Sequence, residues 1–305
     1  MSNAGQLILV TGATGKQGGG VARELLAHGH RVRFLTRDPS AAAAAPLLKA
    51  GAEASRGDMG DTTSLAAAMR GVSGVFSMQP IDGSGDDSEM RYATALVQAA
   101  LKANVRHFVH TSVAATDRHT HFPRWGTQYW FEKYWTDKWA IEEYVRHAGL
   151  ASWTVQRPAL LMSNFTPPTV QFMFPHLKNG EIVTALKPDT RMDLIAADDI
   201  GAFARAAFED PARFNGKSID LASESLTMGE AAAILTRVTG KKVTAVSLSP
   251  DETKARGIYA GWVNSMEWAN EVGYQVDIAA LKSYGIPLMT FEHWARKHST
   301  DFVFD

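Results

Sequence analysis

Glycines at positions 12, 15 and 18 follow directly on the apolar run Leu7-Ile8-Leu9-Val10 and open a helix-like stretch that continues to Ala27. A short apolar run of this kind reads as a buried parallel strand. Glycines just after such a strand let the backbone turn tightly and lie against a pyrophosphate at a helix N-terminus. The loop therefore predicts a dinucleotide site contacted by Gly12, Thr14, Gly15, Lys16, Gln17 and Gly18. Its spacing is G-x-x-G-x-x-G, where the general fingerprint is G-x-G-x-x-G. A second constellation is Tyr134 with Lys138. Residues four apart share a helix face, so a phenol and an ammonium at this spacing lie side by side, an arrangement suited to proton transfer.

The elements that must position these residues alternate through the first half of the chain. Strand patterns fall at 7–10, 32–36, 52–55, 74–78, 107–111 and 152–156, and helical patterns at 18–27, 41–49, 64–69, 90–103 and 138–147. Such alternation is a parallel sheet covered by helices on both faces, here a Rossmann-type unit. The expected class is α/β, a Rossmann-type doubly wound parallel sheet over 1–157 with a smaller C-terminal α/β substrate lobe over 158–305. Pro167, Pro168, Pro175 and Pro188 mark where the alternation loosens, and segments after 190 are free to return to the first domain. The alanine run Ala41 to Ala45, broken by Pro46, reads as a surface helix. Farther on, a helix is expected over 199–208 and a strand near 218–221. Thr227 opens another helix, with Glu230 completing a capping box.

Ribose specificity is set just past the second strand, where an acid accepts from the hydroxyls of NAD and an arginine pairs with the 2'-phosphate of NADP. A strand ending at Leu35 or Thr36 puts Arg37 in the deciding place and leaves Asp38 to start a turn with Pro39. NADP(H) is thus favoured over NAD(H), the alternative being Arg37 as a solvated surface charge. Asp58, beside Met59 after the third strand, either accepts from the adenine amino group or is a turn aspartate. Gln79, in Met78-Gln79-Pro80, lies at the carboxyl edge where such sheets bind ligands.

Composition removes several function classes. The chain of 305 residues has no cysteine, which excludes disulfides, thiolate catalysis and cysteine-ligated metals. A formal net charge of -1 gives no general pull toward nucleic acid or anionic membrane. No apolar stretch approaches membrane-helix length, and Met1 to Gln6 carry no basic region before the apolar run, so a cytoplasmic protein is expected. His107 and His110 face opposite sides of a strand with no carboxylate to complete a ligand set, so no metal is expected. No Gly-x-Ser-x-Gly elbow points to a hydrolase.

With Gly12, Gly15, Gly18, Arg37, Asp58 and Ser112 in place, the sequence resembles the atypical short-chain dehydrogenase/reductases and, within them, the NmrA-like family. Lys138-Trp139-Ala140-Ile141-Glu142-Glu143-Tyr144 is similar to the family's lysine helix, and Gln156-Arg157-Pro158 through Met162-Ser163-Asn164-Phe165 to its exit from the sixth strand. Ala197-Asp198-Asp199-Ile200-Gly201 and Asp210 to Lys217 agree as well. The resemblance implies that Lys138 holds the nicotinamide ribose, that Pro158 adds a cofactor contact, that Tyr134 donates a proton as hydride arrives, and that Ser112 orients a substrate carbonyl. Ser112 as a plain strand-end hydroxyl remains an equal alternative. Tyr129 and Lys133 repeat the Tyr-x-x-x-Lys spacing, but Lys133 is expected in the loop before the helix, so the 134/138 register is preferred.

The resemblance implies an NADPH-dependent oxidoreductase passing hydride to a quinone, enone or other conjugated carbonyl. Its substrate would be small and apolar or aromatic, in a pocket lined by Trp125, Tyr129, Trp135, Asn164 and Phe165. Four of the chain's eight tryptophans lie between Ser112 and Ile141, and this aromatic segment forms either a cleft wall or a cluster packed on the C-terminal lobe or a partner subunit. The same family holds redox-sensing regulators that bind NADP and catalyse nothing, acting through a protein partner, and the chain itself is either a monomer or a homodimer.

Overall fold

Leu7–Val10 forms strand β1, buried along its whole length, in a computed structural model that describes residues 5–80 and 87–305. Met1 to Ala4, taken above as lacking a basic leader, lie outside the described residues. The alternation continues as α1 (Lys16–Ala27), β2 (Arg31–Thr36), α2 (Ala45–Lys49), β3 (Glu53–Arg56), α3 (Thr62–Ala68), β4 (Gly74–Ser77), α4 (Ser88–Lys102), β5 (His107–Thr111), α5 (Glu132–His147) and β6 (Trp153–Pro158). The sheet runs β6-β5-β4-β1-β2-β3, and Lys217–Leu221 joins beside β6 as a seventh strand. Pairings from β3 across to β6 are parallel. The order reverses between β1 and β4, which makes the carboxyl ends of these strands the switch point at which α/β sheets bind ligands.

The chain divides into two compact units, Met1–Thr116 with Thr136–Arg157 and Ala197–Ile219, and Asp117–Trp135 with Pro158–Ala196 and Asp220–Asp305. A single cut at 157 does not describe them. Asp117–Trp135 goes with the second unit because Phe122 and Trp135 pack there against Trp268, at centroid distances of 5.6 and 4.9 Å.

In the first unit, one sheet face presents Leu7, Leu9, Val75, Phe108 and Val155 to α3, α4 and α5, through Leu65, Leu96, Val97, Ile141 and Val145. The other face meets α1 and the Ala197–Glu209 helix. There, a Cβ on Gly20 would stand 2.4 Å from the Ala197 carbonyl oxygen, and one on Gly201 would stand 2.8 Å from that of Gly20. The two helices therefore touch backbone to backbone. Salt bridges flank the contact, Arg23 to Asp198 at 3.2 Å and Arg205 to Glu24 at 3.0 Å.

Among the boundaries that differ from expectation, three have a clear local consequence or cause. The alanine run is helical only from Ala45, because Pro46 fits the first turn of a helix but its ring would clash with the carbonyl four residues back if the helix began earlier. Helix α3 begins two residues earlier than its pattern, since the Asp61 carboxylate accepts from the amides of Thr63 and Ser64 and caps it. Helix α5 begins at Glu132, which puts Lys133 in its first turn and not in a preceding loop.

The second unit holds a three-stranded sheet with Met192–Ile195 between Leu160–Leu161 and Glu224–Leu226, and a parallel pair, Glu181–Thr184 with Thr244–Ser247. The Met228–Thr239 helix starts on the expected capping box, with the Thr227 hydroxyl accepting from Glu230 N at 3.1 Å and the Glu230 carboxylate from Thr227 N at 2.8 Å. Among the described residues no helix is long and apolar enough to cross a membrane.

Crowding at Gly20 predicts that Gly20→Ala destabilises the protein by roughly 1–3 kcal/mol despite alanine's better helix propensity. Gly229→Ala, where the nearest atom to a new Cβ is 3.7 Å away, is expected to be neutral or stabilising. Urea unfolding of the two variants makes the comparison, and equal effects would refute the close-contact account.

Candidate functional site

The loop after β1 is built around a glycine contact. Gly12 has φ +63°, in the left-handed region, and a Cβ there would meet the Met78 side chain at 2.4 Å. Gly18 is packed so that a Cβ would stand 2.5 Å from the Gly12 carbonyl. The first turn of α1 is thereby pressed against the end of β1. Its cap residue, Gly15, gives no side-chain cap bond, and the first turn holds no acid. A helix N-terminus without these internal partners is suited to an anion, and Thr14 and Gly15 are exposed beside it. Thr11 braces the loop from below: its hydroxyl accepts from Met78 N at 2.7 Å and lies 2.8 Å from the Met78 carbonyl. Gln17 is held from the sheet, since Thr111 Oγ1 donates to its Oε1 at 2.9 Å.

Strand β2 ends at Thr36, and both Arg37 and Asp38 are exposed in the turn that follows. Asp38 is engaged by that turn, accepting from the amide and hydroxyl of Ser40 at 2.9 and 2.6 Å, bonds that hold its carboxyl below the usual range. Asp58 likewise accepts from Gly60 N at 2.8 Å while its own amide bonds Ser64 Oγ, so it has a turn role in the protein alone. Met59 is half-buried beside it.

At the carboxyl edge of β4 and β5 a polar chain runs from Gln79 Nε2 to Ser77 Oγ at 2.9 Å, and from there to His110 Nδ1 at 3.3 Å. Burial, aided by the charge on Lys138, pushes His110 down to about 3, so its ring is neutral. His107 points to the other face, between Ser152 and Thr154, where burial pushes it down to about 4. Ser112 follows β5, and its amide donates to Gln156 O at 2.7 Å. Its buried hydroxyl has no protein partner among the described residues. Lys138, on α5, forms an ion pair with Glu89 in the first turn of α4, and Tyr134 lies four residues earlier on the same helix. The helix is tied to β6 by Glu142, fully buried, which accepts from Arg157 at 2.8 Å and from Arg146 at 2.8 Å. Neither Glu89 nor the Glu142–Arg157 pair was expected. The i,i+4 spacing of Glu142 and Arg146 signals a helix-face pair, but only the fold brings Arg157 or Glu89 to α5.

The five residues expected to line a substrate pocket all lie in the second unit, in different roles. Trp135 is buried against Phe122 and Trp268, and Phe165, 1% exposed, is stacked 4.5 Å from Phe174. These two are core residues and not open walls, because ring-on-ring packing removes them from solvent. Trp125 is half-buried against His119, and Asn164 is half-buried. Tyr129 is exposed under the Arg124 guanidinium, with its hydroxyl 3.1 Å from Glu267.

A family model described as the NmrA-like family matches residues 4–294. Among relatives, the NmrA-like family domain-containing oxidoreductase malD of Malbranchea aurantiaca is 30% identical, over 81% of this chain and 77% of its own. The NAD(P)H azoreductase of Xenophilus azovorans is 28% identical, over 97% and 99%. Among solved structures, a Citrobacter triphenylmethane reductase complexed with NADP(H) superposes with a TM-score of 0.75 at 22% identity, covering 96% of this chain and 99% of that one. That likeness shows the fold.

Both buried histidines take up protons in the unfolded chain below pH ~6.5 but in the folded protein only near 4 and 3. The unfolded state then binds more protons, so stability falls as pH drops from ~6.5 toward those values, by on the order of 2 kcal/mol per histidine at pH 4.5. His110→Gln is expected to flatten this acid limb in urea titrations at pH 7, 5.5 and 4.5. An unchanged slope would show that the acid sensitivity arises elsewhere.

Proposed function

Because this chain belongs to the NmrA-like family, we propose that it is an NADPH-dependent oxidoreductase acting on a quinone, enone or other conjugated acceptor. The observation that carries the chemistry is Ser112, a buried hydroxyl at the carboxyl edge of the sheet with no protein partner among the described residues. Buried polar groups are nearly always hydrogen-bonded, so such a group is suited to a ligand's oxygen. The glycine cradle and the open N-terminus of α1 fit the pyrophosphate, and exposed Arg37 fits a 2'-phosphate better than Asp38, whose carboxylate is already engaged by Ser40. Relatives named as an oxidoreductase and an azoreductase support the reaction class.

Bound NADPH supplies a hydride. Lys138 would hold the nicotinamide ribose, Ser112 would donate to the acceptor oxygen and orient it, and Tyr134 would deliver the proton. Gly12, Gly15 and Gly18 would allow the pyrophosphate close to the backbone, Thr14, Lys16, Gln17 and Asp58 would border the nucleotide, and Met59, Gln79 and Pro158 would add contacts to it. A regulator that binds NADP without turning it over is the other outcome of the same test.

NADPH consumption against a panel of quinones, enones and azo compounds decides between them. Tyr134→Phe is expected to lower kcat by about 100-fold or more while NADPH still binds, the loss typical of a removed general acid. Steady turnover unaffected by Tyr134→Phe would remove Tyr134 from the mechanism, and tight NADPH binding with no acceptor turned over would favour the regulator.

Arg37→Ala is expected to weaken NADPH by about tenfold or more while changing NADH little, as loss of a charge-assisted pair requires. Equal weakening of both would defeat the 2'-phosphate assignment.

A further inference from the structure

Gln156, fully buried near the carboxyl end of β6, carries a side-chain amide whose oxygen and nitrogen both lack a protein partner among the described residues. Burying an amide without hydrogen bonds is costly, and an apolar side chain would avoid the cost. Its sheet face is fixed by its neighbours. His107 of β5 lies 2.9 Å from the Thr154 hydroxyl of β6, on the face where Phe208 meets the His107 ring edge-on. A period of two along each strand puts Thr111 and its register partner Gln156 on that same face. Both nearby hydroxyls are directed elsewhere, Thr111 Oγ1 donating to Gln17 Oε1 at 2.9 Å and Thr154 Oγ1 to the Phe214 carbonyl at 2.9 Å. Gln156 thus stands level with the last residue of β5, beside the threonine that tethers the first turn of α1.

We propose that Gln156 binds the carboxamide of the cofactor's nicotinamide ring. The proposal rests on the nicotinamide cofactor put forward above. A primary amide offers two N–H donors and one carbonyl acceptor, and the groups of a dinucleotide answer it differently. A phosphate only accepts, and would leave Gln156 Oε1 unpaired. A ribose hydroxyl is a single atom and meets one end of the amide at a time. Only the adenine edge and the nicotinamide carboxamide answer both ends at once. Arg37, put forward for the 2'-phosphate, follows β2, which lies on the other side of β1 from β4, β5 and β6. The adenine end is thereby directed away from Gln156, and the carboxamide is left to pair with it through two N–H to O bonds.

The test is calorimetric titration of the purified full-length protein with four ligands. They are NADPH, NADP+, the nicotinamide-free fragment 2'-phospho-ADP-ribose, and an NADP+ analogue whose carboxamide is replaced by an acetyl group. Gln156→Leu is expected to weaken NADPH about tenfold or more while leaving the fragment within about twofold, the size of a lost pair of hydrogen bonds. The same variant raises the urea midpoint of the ligand-free protein, because the unpaired amide is gone. Wild-type protein binds the acetyl analogue about fivefold or more weaker than NADP+, since an acetyl group has no N–H to give to Gln156 Oε1, and the gap closes in Gln156→Leu. Equal weakening of NADPH and the fragment overturns the proposal. Unchanged NADPH affinity with a lowered urea midpoint overturns it too, as that is the signature of an amide satisfied by buried water. Should Gln156→Leu not fold, wild-type protein that binds the acetyl analogue as tightly as NADP+ overturns it without any variant. Wild-type protein that binds neither NADPH nor the fragment defeats the cofactor assignment itself.

Discussion

Helix α1 lies where it does because three glycines, its own Gly18 and Gly20 and Gly201 of the helix packed on it, leave no room for a side chain. Gly18 is pressed on Gly12 at the end of β1, while Gly20 and Gly201 bring the helix against Ala197–Glu209. Fixing a helix by backbone contact at two levels leaves little freedom in the height of its N-terminus above the sheet. That N-terminus is where the amides of Lys16, Gln17 and Gly18 are presented, so their placement is a consequence of packing several residues away. Thr11 extends the constraint to the next strand, because its hydroxyl bonds the backbone of Met78 and locks the loops after β1 and β4 together.

On the opposite face of the sheet, charge is organised in compensated pairs. Glu142 with Arg157 joins α5 to β6, and Glu89 with Lys138 joins α5 to α4. Helix α5 is thus held by ion pairs at two points two turns or fewer apart, with Ile141 and Val145 between and beyond them in the apolar core. Burial, aided by the charge on Lys138, keeps His110 neutral on β5. Among the described residues the Ser112 hydroxyl is one of several buried polar atoms without a protein partner, and Gln79 Oε1 and His110 Nε2 share that state at the same carboxyl edge.

Much of the first unit was legible because its signals are local. The apolar run at Leu7, the glycines after it and the strand end at Thr36 each act within a few residues, as does the Thr227–Glu230 box in the second unit. What was not legible depends on distant partners or on competing local effects. Glu89 meets Lys138 only after α4 and α5 pack on one sheet face, and nothing in their separate sequences records it. The stretch 132–137 at the start of α5 fell outside the 138–147 pattern, and its opening residue, Glu132, is anchored to the preceding loop, accepting from Gly126 N and Gln128 N. Trp135 and Phe165 looked like ligand-facing rings because aromatic composition does not say whether rings pack on a substrate or on one another.

The first unit is assembled from three separate stretches, the last ending at Ile219. On the ribosome, β1 to β6 emerge well before the Ala197–Glu209 helix that fills the glycine face of α1 and before the strand that flanks β6. Until then the half-made sheet carries an uncovered apolar face and an open edge. Completion of the first unit is therefore tied to synthesis of most of the protein, and a fragment ending at Arg157 would lack the surface against which its first helix is fitted.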